Sequence, residues 1–480
     1  MRDWLSGRTP HDYDLCTAAR PEEIKALFDD VPVIETGIRH GTVSVCMDGK
    51  PIEVTTFRTE GTYSDGRHPD MVSFVTDIKQ DLARRDFTVN AMAWSPVRGL
   101  CDPFGGQTDL QNRCIRCVGD ADTRLQEDAL RILRALRFCA QRGYHIGKDT
   151  ENALRRNCAG LSQVSAERIT SEFLQMICGA YAGTVFMAYA DIITCILPEL
   201  APMVGFAQHN PYHKYDVWKH SVRAMESIRP EPILRLTMLF HDCGKPQVYF
   251  MDDNGIGHFY GHHKASVLVA QQAVRHLRLP VHMEQRVLYL VRHHDTPLGE
   301  KERHVRRKLA VHGEEIFREL LAVKKADAVG QGTTPADITE LLELEQLLED
   351  VLQKDSCLTR KDLAVHGRDL LAWGAKGREI GICLSAMLND VLNDPSHNTP
   401  DYLHTLYDDM QKDRGVMELT VNGMSAGACV REVKEILQKQ SNITHVDVSL
   451  KSGSVTIYGQ HLSFDRICED LAAEGYEVPI

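Results

Sequence analysis

Two aspartates one residue apart, Asp12 and Asp14, are the first residues in the chain whose types and spacing could do chemistry. On an extended strand, side chains at i and i+2 point to the same face, so the two carboxylates would converge. Because neighbouring carboxylates repel, the pair favours a hard divalent cation such as Mg²⁺ between them. Glu53, on another predicted strand, would add a third carboxylate, and three carboxylates can hold two metal ions, one beside an attacking hydroxyl and one on a triphosphate. By itself, Asp-x-Asp is also typical of an exposed turn.

A second candidate site is Glu127-Asp128, which is followed by arginines at three-residue spacing: Arg131, Arg134 and Arg137. This spacing predicts one face of a helix, on which Asp128 and Arg131 are neighbours. An ion pair within the helix is one interpretation. The other is base recognition, in which the carboxylate accepts from an exocyclic amino group and the arginine donates to the adjacent ring nitrogen. Cytosine and adenine offer that pattern, whereas guanine and uracil would leave polar groups unpaired at a cost of about 1–3 kcal/mol each.

Histidines and aspartates in the middle of the chain form a third candidate set: His220, His241, Asp242 and Asp327, with His262 and His294 nearby in sequence. A mixture of imidazole and carboxylate ligands suits Mn, Ni, Zn or Fe better than Mg²⁺ alone. Any one of these histidines could instead be a polar residue satisfied by hydrogen bonds. The adjacent pair His241-Asp242 within the whole set favours a metal site, and His262 and His294 could bind phosphate or a second metal.

The elements that must position these residues divide into an α/β start, a helical middle and a mixed end. One helix is predicted over Pro21–Phe28, and strands are predicted at Thr42–Met47, Ile52–Phe57, Met71–Val75 and Val89–Trp94, with a hairpin at Asp48-Gly49-Lys50. From Asp122 to about Asp350 the periodicity is almost wholly helical, and residues 351–415 continue as helices with polar breaks. The C-terminal strands are predicted at Met417–Asn422, His445–Leu450 and Ser454–Gly459, and the helices at Ala428–Gln438 and Phe464–Glu474. With a last short strand, this order predicts a ferredoxin-like βαββαβ module.

Composition places the chain among soluble proteins of several domains. It has 480 residues, 43% hydrophobic and 25% charged, and the length predicts about three domains. A net charge of −12 argues against a nonspecific nucleic-acid coat, although basic residues cluster locally. The apolar stretch Ala180–Leu197 is interrupted by polar residues and predicts a buried helix, not a membrane span. Fourteen scattered cysteines predict reduced thiols and a cytoplasmic location.

Four motifs in order resemble the polymerase-β-like head of class II CCA-adding enzymes, in the tRNA nucleotidyltransferase/poly(A) polymerase family. They are Arg2-Asp3-Trp4-Leu5-Ser6-Gly7-Arg8 with Asp12-Tyr13-Asp14-Leu15, then Arg84-Arg85-Asp86-Phe87-Thr88-Val89-Asn90-Ala91, Asp102-Pro103-Phe104-Gly105-Gly106 and Glu127-Asp128-Ala129-Leu130-Arg131. The resemblance implies a Mg²⁺-dependent enzyme that adds CCA to the tRNA acceptor arm from CTP and ATP. Poly(A) addition, or addition of only CC or only A, are the alternatives. No membrane and no firm protein partner are expected.

The same resemblance implies roles for individual residues. It implies that Asp12, Asp14 and Glu53 are catalytic, with Asp12 and Asp14 as Mg²⁺ ligands. It implies that Asp128 and Arg131 recognise the base, and that the remaining nucleotide contacts come from Arg2, Arg85, Arg134 and Arg137. Ser165 and Arg168 resemble a later family motif, for which we predict a helix N-cap and a charged first turn. The polar, glycine-containing stretch Thr59–Pro69 predicts a mobile loop.

The chain departs from the family pattern at its start, where Gly-Gly-x-Val is expected before Arg2-Asp3. Glycines there let backbone N–H groups approach phosphate. We therefore expect that the natural start lies upstream and that the chain as written lacks the first strand. The passage from His209 to Asp327 resembles an HD domain, whose intact members hydrolyse phosphoesters, including cyclic phosphates at RNA ends. A further alternative is thus an HD phosphohydrolase with an inactive head.

The C-terminal module resembles a heavy-metal-associated domain whose metal loop has lost one cysteine. Ala426 stands at the first cysteine position and only Cys429 remains, so we do not expect a copper site. Residues 358–395 resemble the tRNA-binding tail of the family. The predicted fold is therefore a multidomain α+β protein. Its predicted segments are a nucleotidyltransferase head (1–120), a helical neck (121–205), an HD domain (206–335), a helical tail (336–412) and the C-terminal module (416–480).

Overall fold

The computed structural model describes most of the 480 residues. It leaves undescribed residues 11, 12, 36, 62–70, 212, 333, 334, 355, 356, 413, 414, 423, 425, 426, 451, 461, 475, 479 and 480, and the side chains of residues 39, 60, 335–337, 412 and 428. Asp12, most of the Thr59–Pro69 stretch and Ala426 therefore lie outside the described residues. All fourteen cysteines are free thiols.

The N-terminal segment is an α/β domain. Its elements are α1 Arg2–Leu5, β1 Leu15–Thr17, α2 Pro21–Leu27, β2 Val33–Ile34, β3 Thr42–Met47, β4 Lys50–Thr56, β5 Arg58–Glu60, β6 Val72–Phe74, α3 Ile78–Ala83, β7 Ala93–Ser95, β8 Gly99–Cys101, α4 Gly106–Gln111 and β9 Cys114–Ile115. The main sheet has the order β1-β4-β3-β2, with β1 parallel to β4 and the other pairs antiparallel. The predicted β3–β4 hairpin is confirmed, because Asp48 and Gly49 both adopt the positive φ that a tight two-residue turn requires.

The predicted strand at Val89–Trp94 is wrong for its first half. Residues Thr88–Asn90 form a 3₁₀ turn, and only Ala93–Ser95 form a strand. The turn is held by polar side chains: the Thr88 hydroxyl donates to Asp109, and the Asn90 amide donates to Asp86. Tertiary hydrogen bonds thus override the β-propensity of this run.

The middle of the chain is helical, as predicted. Its elements are α5 Ala121–Glu127, α6 Leu130–Arg142, β10 His145–Ile146, α7 Lys148–Asn157, α8 Ala166–Ile177, α9 Ala182–Ala188, α10 Ala190–Ile196, α11 Val217–Ser227, α12 Pro232–Phe240, α13 Lys245–Val248, β11 Phe250–Met251, β12 Gly257–His258, α14 His262–His276, α15 Val281–His293, α16 Glu302–Gln331 and α17 Pro335–Gln353. Helix α12 is buried from Leu234 to Phe240, which fixes the residues that follow it. The periodicity did not predict the short antiparallel hairpin β11–β12.

The remaining elements are helices followed by a small sheet. They are α18 Gly367–Ala372, α19 Arg378–Asn393, α20 Pro400–Lys412, β13 Gly415–Thr420, α21 Gly427–Gln438, β14 Ile443–Val448, β15 Ser454–Gly459 and α22 Phe464–Ala473. Strand β15 lies between β13 and β14, and a single bridge from Asn422 to Glu477 supplies the expected last strand. The βαββαβ order predicted for this module is therefore confirmed.

The chain forms two compact units. One comprises residues 1–298 and 314–345, and the other comprises residues 299–313 and 346–480. Helix α16 is kinked at Gly313, whose φ of 76° and ψ of 163° are not helical. The predicted five-segment division stays a prediction. Within the described parts of the chain, we find no helix with both the length and the apolar character that a membrane crossing demands.

Candidate functional site

The pairing of β1 with β4 places Asp14 beside Glu53. Leu15 is the register partner of Val54 in this parallel pair, so the residues one step earlier, Asp14 and Glu53, are adjacent on neighbouring strands. Side chains at the same register position in neighbouring strands share a face of the sheet. Both side chains are exposed, as a site that receives a substrate requires. Asp12 lies outside the described residues, so the full set of three carboxylates stays a prediction.

Arg85 and Asp14 lie near a common residue, Cys16 on β1. Burial raises the pKa of the Cys16 thiol on β1, and the charges of Arg85 and Asp14 both act on that thiol. Arg85 donates to the Asn90 carbonyl at 3.3 Å, and Arg2 donates to the side-chain oxygen of Asn90 at 2.8 Å. Two of the four predicted nucleotide-binding arginines therefore converge on Asn90.

The other two arginines join the same network through Phe138 on α6. The guanidinium carbons of Arg2, Arg134 and Arg137 lie 4.7, 5.9 and 4.5 Å from the centre of the Phe138 ring. Arg137 also pairs with the buried Glu172 at 2.5 Å. The structure thus brings all four predicted nucleotide-binding arginines into one cluster, held by cation–π contacts and ion pairs.

Asp86 anchors this cluster from the interior. Two N–H groups of Arg134 donate to one Asp86 oxygen, at 2.9 and 2.8 Å, while the other oxygen accepts from the Phe87 N–H and the Asn90 amide. Burial acts to raise the pKa of Asp86, but the charge of Arg134 and the Asn90 hydrogen bond outweigh it and lower the pKa below 3.8. The stability that this carboxylate contributes is therefore fully present above 3.8, its ordinary pKa, and is lost as the pH falls through its lowered pKa in the folded protein.

We predict that Arg134→Met lowers the free energy of unfolding at pH 7 by about 3 kcal/mol, because a buried carboxylate loses its partner. The loss will shrink between pH 7 and 5, because the unpaired Asp86 then takes up a proton. Urea denaturation at both pH values measures it. The control is Arg156→Met, which breaks the exposed 2.5 Å pair with Asp122 and should cost much less, because solvent screens that pair. Equal losses in the two variants would contradict the role given to Asp86.

The prediction that Asp128 and Arg131 lie on one helix is wrong. Asp128 has extended backbone angles and separates α5 from α6, because its side chain caps the N–H of Leu130 instead of continuing the helix. Arg131 pairs with Glu127 at 2.5 Å, and Asp128 pairs with Arg168 at 2.7 Å. Asp128 and Arg131 remain close in the chain, but each is oriented by a different partner.

The motif at Ser165 starts a helix with Arg168 in its first turn, as predicted. Ser165 occupies the N-cap position of α8, yet its hydroxyl makes no capping hydrogen bond within the described chain. Arg168, from the first turn of α8, reaches Asp128 across 40 residues of sequence. The motif therefore positions a candidate base-recognition residue in addition to starting a helix.

The six histidines and aspartates of the third candidate set come together in one buried centre. They are His220 on α11, His241 and Asp242 after α12, His262 at the start of α14, His294 after α15 and Asp327 on α16. The Nε2 atom of His220 lies 3.0 Å from Nε2 of His241 and 2.9 Å from an Asp327 oxygen. One Asp242 oxygen lies 3.1 Å from the same His220 atom. These four residues form a first ligand group.

A second ligand group shares Asp242. The other Asp242 oxygen lies 3.5 Å from Nε2 of His262 and 3.9 Å from Nε2 of His294, and these two nitrogens are 3.1 Å apart. The ammonium group of Lys245 sits 2.7 Å from Asp242 and 2.9 Å from the Gln208 side-chain oxygen. Asp242 is therefore placed as a carboxylate common to two groups of donors.

Main-chain carbonyls set the orientation of three of these imidazoles. The Nδ1 atoms of His241, His262 and His294 lie 2.7, 3.1 and 2.7 Å from the carbonyl oxygens three residues earlier. A carbonyl only accepts, so each Nδ1 carries the hydrogen and a neutral ring turns its Nε2 lone pair inward. Lone pairs that face each other at about 3 Å repel unless a cation lies between them. The donor set therefore fits divalent ions with mixed nitrogen and oxygen ligands.

The ionisation of the centre agrees with that fit. Burial disfavours the charged form of His241, but Asp242 and Asp327 outweigh burial and raise the pKa of His241 to about 10. The two carboxylates therefore stabilise a positive charge beside them. Burial, together with the charge on His241, lowers the pKa of His294 to about 3, which keeps that ring neutral. Because metal binds neutral imidazoles and ionised carboxylates, a divalent ion bound here would replace the His241 proton as the positive charge beside Asp242 and Asp327.

Four known domain families match parts of the chain. They are the Poly A polymerase head domain at residues 1–116, the probable RNA and SrmB-binding site of polymerase A at residues 143–203, the HD domain at residues 212–330 and the heavy-metal-associated domain at residues 418–476. The N-terminal and middle parts of the chain are therefore similar to the head and RNA-binding domains of poly(A) polymerases.

Similar proteins cover different shares of the chain. The CCA-adding enzyme of Leuconostoc citreum is 50% identical over 183 residues, which are 38% of this chain and 45% of that one. The chain spans about half the length of the curated relatives it matches. The crystal structure of the Bacillus stearothermophilus CCA-adding enzyme in complex with CTP has a TM-score of 0.59 and 28% identity, over 86% of this chain and 91% of that one. The Thermotoga maritima CCA-adding enzyme complexed with tRNA shares the fold, at a TM-score of 0.53 and 19% identity over 85% and 89%.

Several residues that order the candidate sites were not assigned these roles by sequence reasoning. Asp86 and Phe138 order the arginine cluster, Arg168 orients Asp128, and Lys245 pairs with Asp242. Asp86 stands inside the Arg84–Ala91 motif and Lys245 follows His241-Asp242, so their positions in motifs were the available signal. Nothing in the spacing pointed to Phe138.

The C-terminal module matches the heavy-metal-associated domain, and the one cysteine left in its predicted metal loop packs inward. Cys429 lies on α21, partly buried against the hydrophobic core of the module. The Tyr476 hydroxyl donates to Glu432 at 2.8 Å and closes the same end. Because Ala426 lies outside the described residues, the expectation that this loop holds no copper stays a prediction.

Proposed function

We propose that the protein adds the 3′-terminal CCA to tRNA, using CTP and ATP and no nucleic-acid template. The observation that carries the proposal is the register of β1 on β4, which sets Asp14 beside Glu53. The curated relatives named CCA-adding enzyme, and the CTP complex of the Bacillus stearothermophilus enzyme, support this choice of substrates. The tRNA acceptor arm is the proposed macromolecular partner. The cytoplasmic location stays a prediction.

The catalytic role belongs to the carboxylates at the edge of the sheet. Asp12, Asp14 and Glu53 are the proposed catalytic residues, with Asp12 and Asp14 as Mg²⁺ ligands. When bound there, Mg²⁺ would neutralise triphosphate charge and activate the 3′-hydroxyl of the tRNA. The arginine cluster binds the nucleotide, because planar guanidinium groups match phosphate oxygens in pairs: Arg2, Arg85, Arg134 and Arg137.

Base selection belongs to Asp128 and Arg131. Arg168 fixes the Asp128 carboxylate and Glu127 fixes the Arg131 guanidinium, so neither group can reorient freely towards the wrong base. A fixed acceptor beside a fixed donor complements the amino group and ring nitrogen that cytosine and adenine share. Guanine and uracil present the reverse pattern, which would set a base carbonyl against the Asp128 carboxylate and a ring N–H against the Arg131 guanidinium.

We predict that Asp128→Asn lowers kcat/KM for CTP by about tenfold to a hundredfold and raises the relative use of UTP, because the new amide can donate where the carboxylate could only accept. Single-nucleotide incorporation into tRNA lacking its CCA end measures both values. Asp122→Asn is the matched control, since the Asp122 carboxylate pairs with Arg156 and accepts from the Asn157 amide at the surface and belongs to none of the candidate sites. Unchanged discrimination between CTP and UTP would remove Asp128 from base selection.

The overall activity is tested by supplying labelled nucleotides in turn. With tRNA lacking its CCA end, CTP alone should add two residues, and CTP with ATP should add one further adenosine. Chelation of Mg²⁺ should stop both additions. Long tails from ATP alone would favour the poly(A) polymerase alternative, and arrest after CC, or addition of A only, would favour a partial activity.

A second activity is supported by the buried histidine centre. We propose that the two ligand groups sharing Asp242 hold divalent ions, of Mn, Ni, Zn or Fe, and hydrolyse phosphoesters at RNA ends. Such ions would supply a positive charge for the phosphate and an activated water. Lys245 adds a fixed cation beside them. If the head adds no nucleotide while hydrolysis persists, the phosphohydrolase alternative holds instead.

A further inference from the structure

Three aromatic rings form an exposed patch on the β11–β12 hairpin and the residue pair that follows it. Phe250 and His258 are cross-strand partners, and Tyr260 lies two residues beyond His258 on the same face. Their ring centres are 5.2 to 5.6 Å apart, and their planes lie within 37° of one another. Phe250 is 46% exposed and Tyr260 is 73% exposed, so the patch offers ring faces to solvent. We call these three residues the ring patch.

The hairpin is held firmly against the elements of the histidine centre. The Tyr249 hydroxyl lies 3.0 Å from Nδ1 of His209, and the Asn210 amide donates to the Gly257 carbonyl at 3.0 Å. A side chain at Gly257 would collide with the Gln208 carbonyl, so the two segments meet closely there. Gln208 in turn accepts from Lys245, the ion-pair partner of Asp242. The ring patch therefore rests on a support that connects directly to the ligand groups.

Chain connectivity brings the ring patch close to a candidate metal ligand. Tyr260 precedes His262 by two residues, so their α-carbons lie within about 7 Å. His258 is oriented by Asp252 at 2.9 Å, which keeps its ring aligned with its two neighbours. Packing inside the protein does not explain the patch, because two of its three rings are largely exposed, whereas Tyr249 and Phe259 on the other face pack inward against Phe206 and Lys245.

We propose that the ring patch stacks the base of a nucleotide whose phosphate is held at the histidine centre. Base stacking on aromatic rings tolerates every base, because each base has a π face. The centre would therefore act on nucleotide or RNA 3′ ends of any sequence, in preference to phosphoesters that lack a base. This inference rests on the proposed phosphoester hydrolysis, for which it names the substrate class.

The test compares ligands with and without a base in full-length, Mn²⁺-loaded protein. Isothermal titration with cytidine 3′-monophosphate, adenosine 3′-monophosphate and inorganic phosphate gives three affinities. The variants are Phe250→Ala, Tyr260→Ala and the double change, with Leu268→Ala as a matched loss of an exposed apolar side chain on α14. We expect the double variant to lose about tenfold to a hundredfold in affinity for both nucleotides and none for phosphate. Tyr260→Phe should keep most of the nucleotide affinity that Tyr260→Ala loses.

Hydrolysis of a nucleoside 2′,3′-cyclic phosphate and of p-nitrophenyl phosphate separates the two claims. A wild-type protein that binds nucleotide better than phosphate, but hydrolyses neither substrate, defeats the phosphoester proposal and leaves the base site supported. Equal affinity of the wild type for nucleotide and phosphate overturns the base site. Unchanged nucleotide affinity in the double variant also overturns the base site. If that variant keeps its nucleotide affinity but no longer self-associates, the ring patch is a protein contact.

Discussion

Replacing Asp14 by asparagine will lower the rate of CMP and AMP addition to tRNA by about a thousandfold or more, equivalent to roughly 4 kcal/mol of barrier. Asp14 lies beside Glu53 at the edge of the sheet, where the triphosphate and metal charges must be balanced. An amide keeps the shape of the side chain but removes the charge that binds a hard cation. Rapid-quench incorporation of labelled CTP measures the effect.

Folding will not limit this test, because the Asp14 side chain is exposed. The melting temperature should stay within about 2 °C of the wild type, as is usual for surface substitutions. Asp29→Asn, an exposed change in the same domain, is the control and should leave incorporation intact. Glu53→Gln should reproduce the Asp14 defect. A variant at Asp14 that still incorporates at the wild-type rate would contradict the placement of the metal site.

Replacing Asp242 by asparagine will remove both metal ions and lower the rate of phosphoester hydrolysis by at least about a hundredfold. Asp242 faces both ligand groups, so one neutral oxygen weakens each of them. Asp327 belongs only to the first group. Mass spectrometry for metals should therefore find about two ions per chain in the wild type, about one in Asp327→Asn and fewer in Asp242→Asn.

CCA addition should persist in both variants, because the carboxylates that we assign to it lie on β1 and β4 and not in the histidine centre. Asp242→Asn also leaves the buried Lys245 without its ion-pair partner, so the free energy of unfolding of that variant must be measured. Asp327→Asn serves as the milder variant if Asp242→Asn unfolds. A full metal complement in a folded Asp242→Asn protein would show that Asp242 is not the shared ligand.

Local patterns predicted much of the architecture. The β3–β4 hairpin follows from Asp48-Gly49 between two β-branched runs, and the C-terminal helices and strands follow from clear changes of period. These features depend on residues close in sequence. The exception, Val89–Trp94, shows how tertiary hydrogen bonds from Asp86 and Asp109 can impose a turn on an apolar run.

The candidate sites were predictable as sets of residues but not as geometry. Asp86 meets Arg134 across 48 residues, and Asp128 meets Arg168 across 40, so no periodicity could reveal either pair. The division of the histidine centre into two groups depends on how helices α11, α12, α14, α15 and α16 pack. The β11–β12 hairpin did have a signal, the Asn254-Gly255 turn between two aromatic segments, which the surrounding helical pattern hid.

Sequencing the 3′ ends of a tRNA transcript that lacks CCA, after incubation of the full chain with Mg²⁺ and all four nucleotides together, tests the central proposal most directly. Our account predicts that the extended molecules end in CCA and grow no further, with uridine and guanosine largely absent from the added positions. Ends that carry long adenosine runs, or added nucleotides in proportion to the mixture supplied, would contradict it.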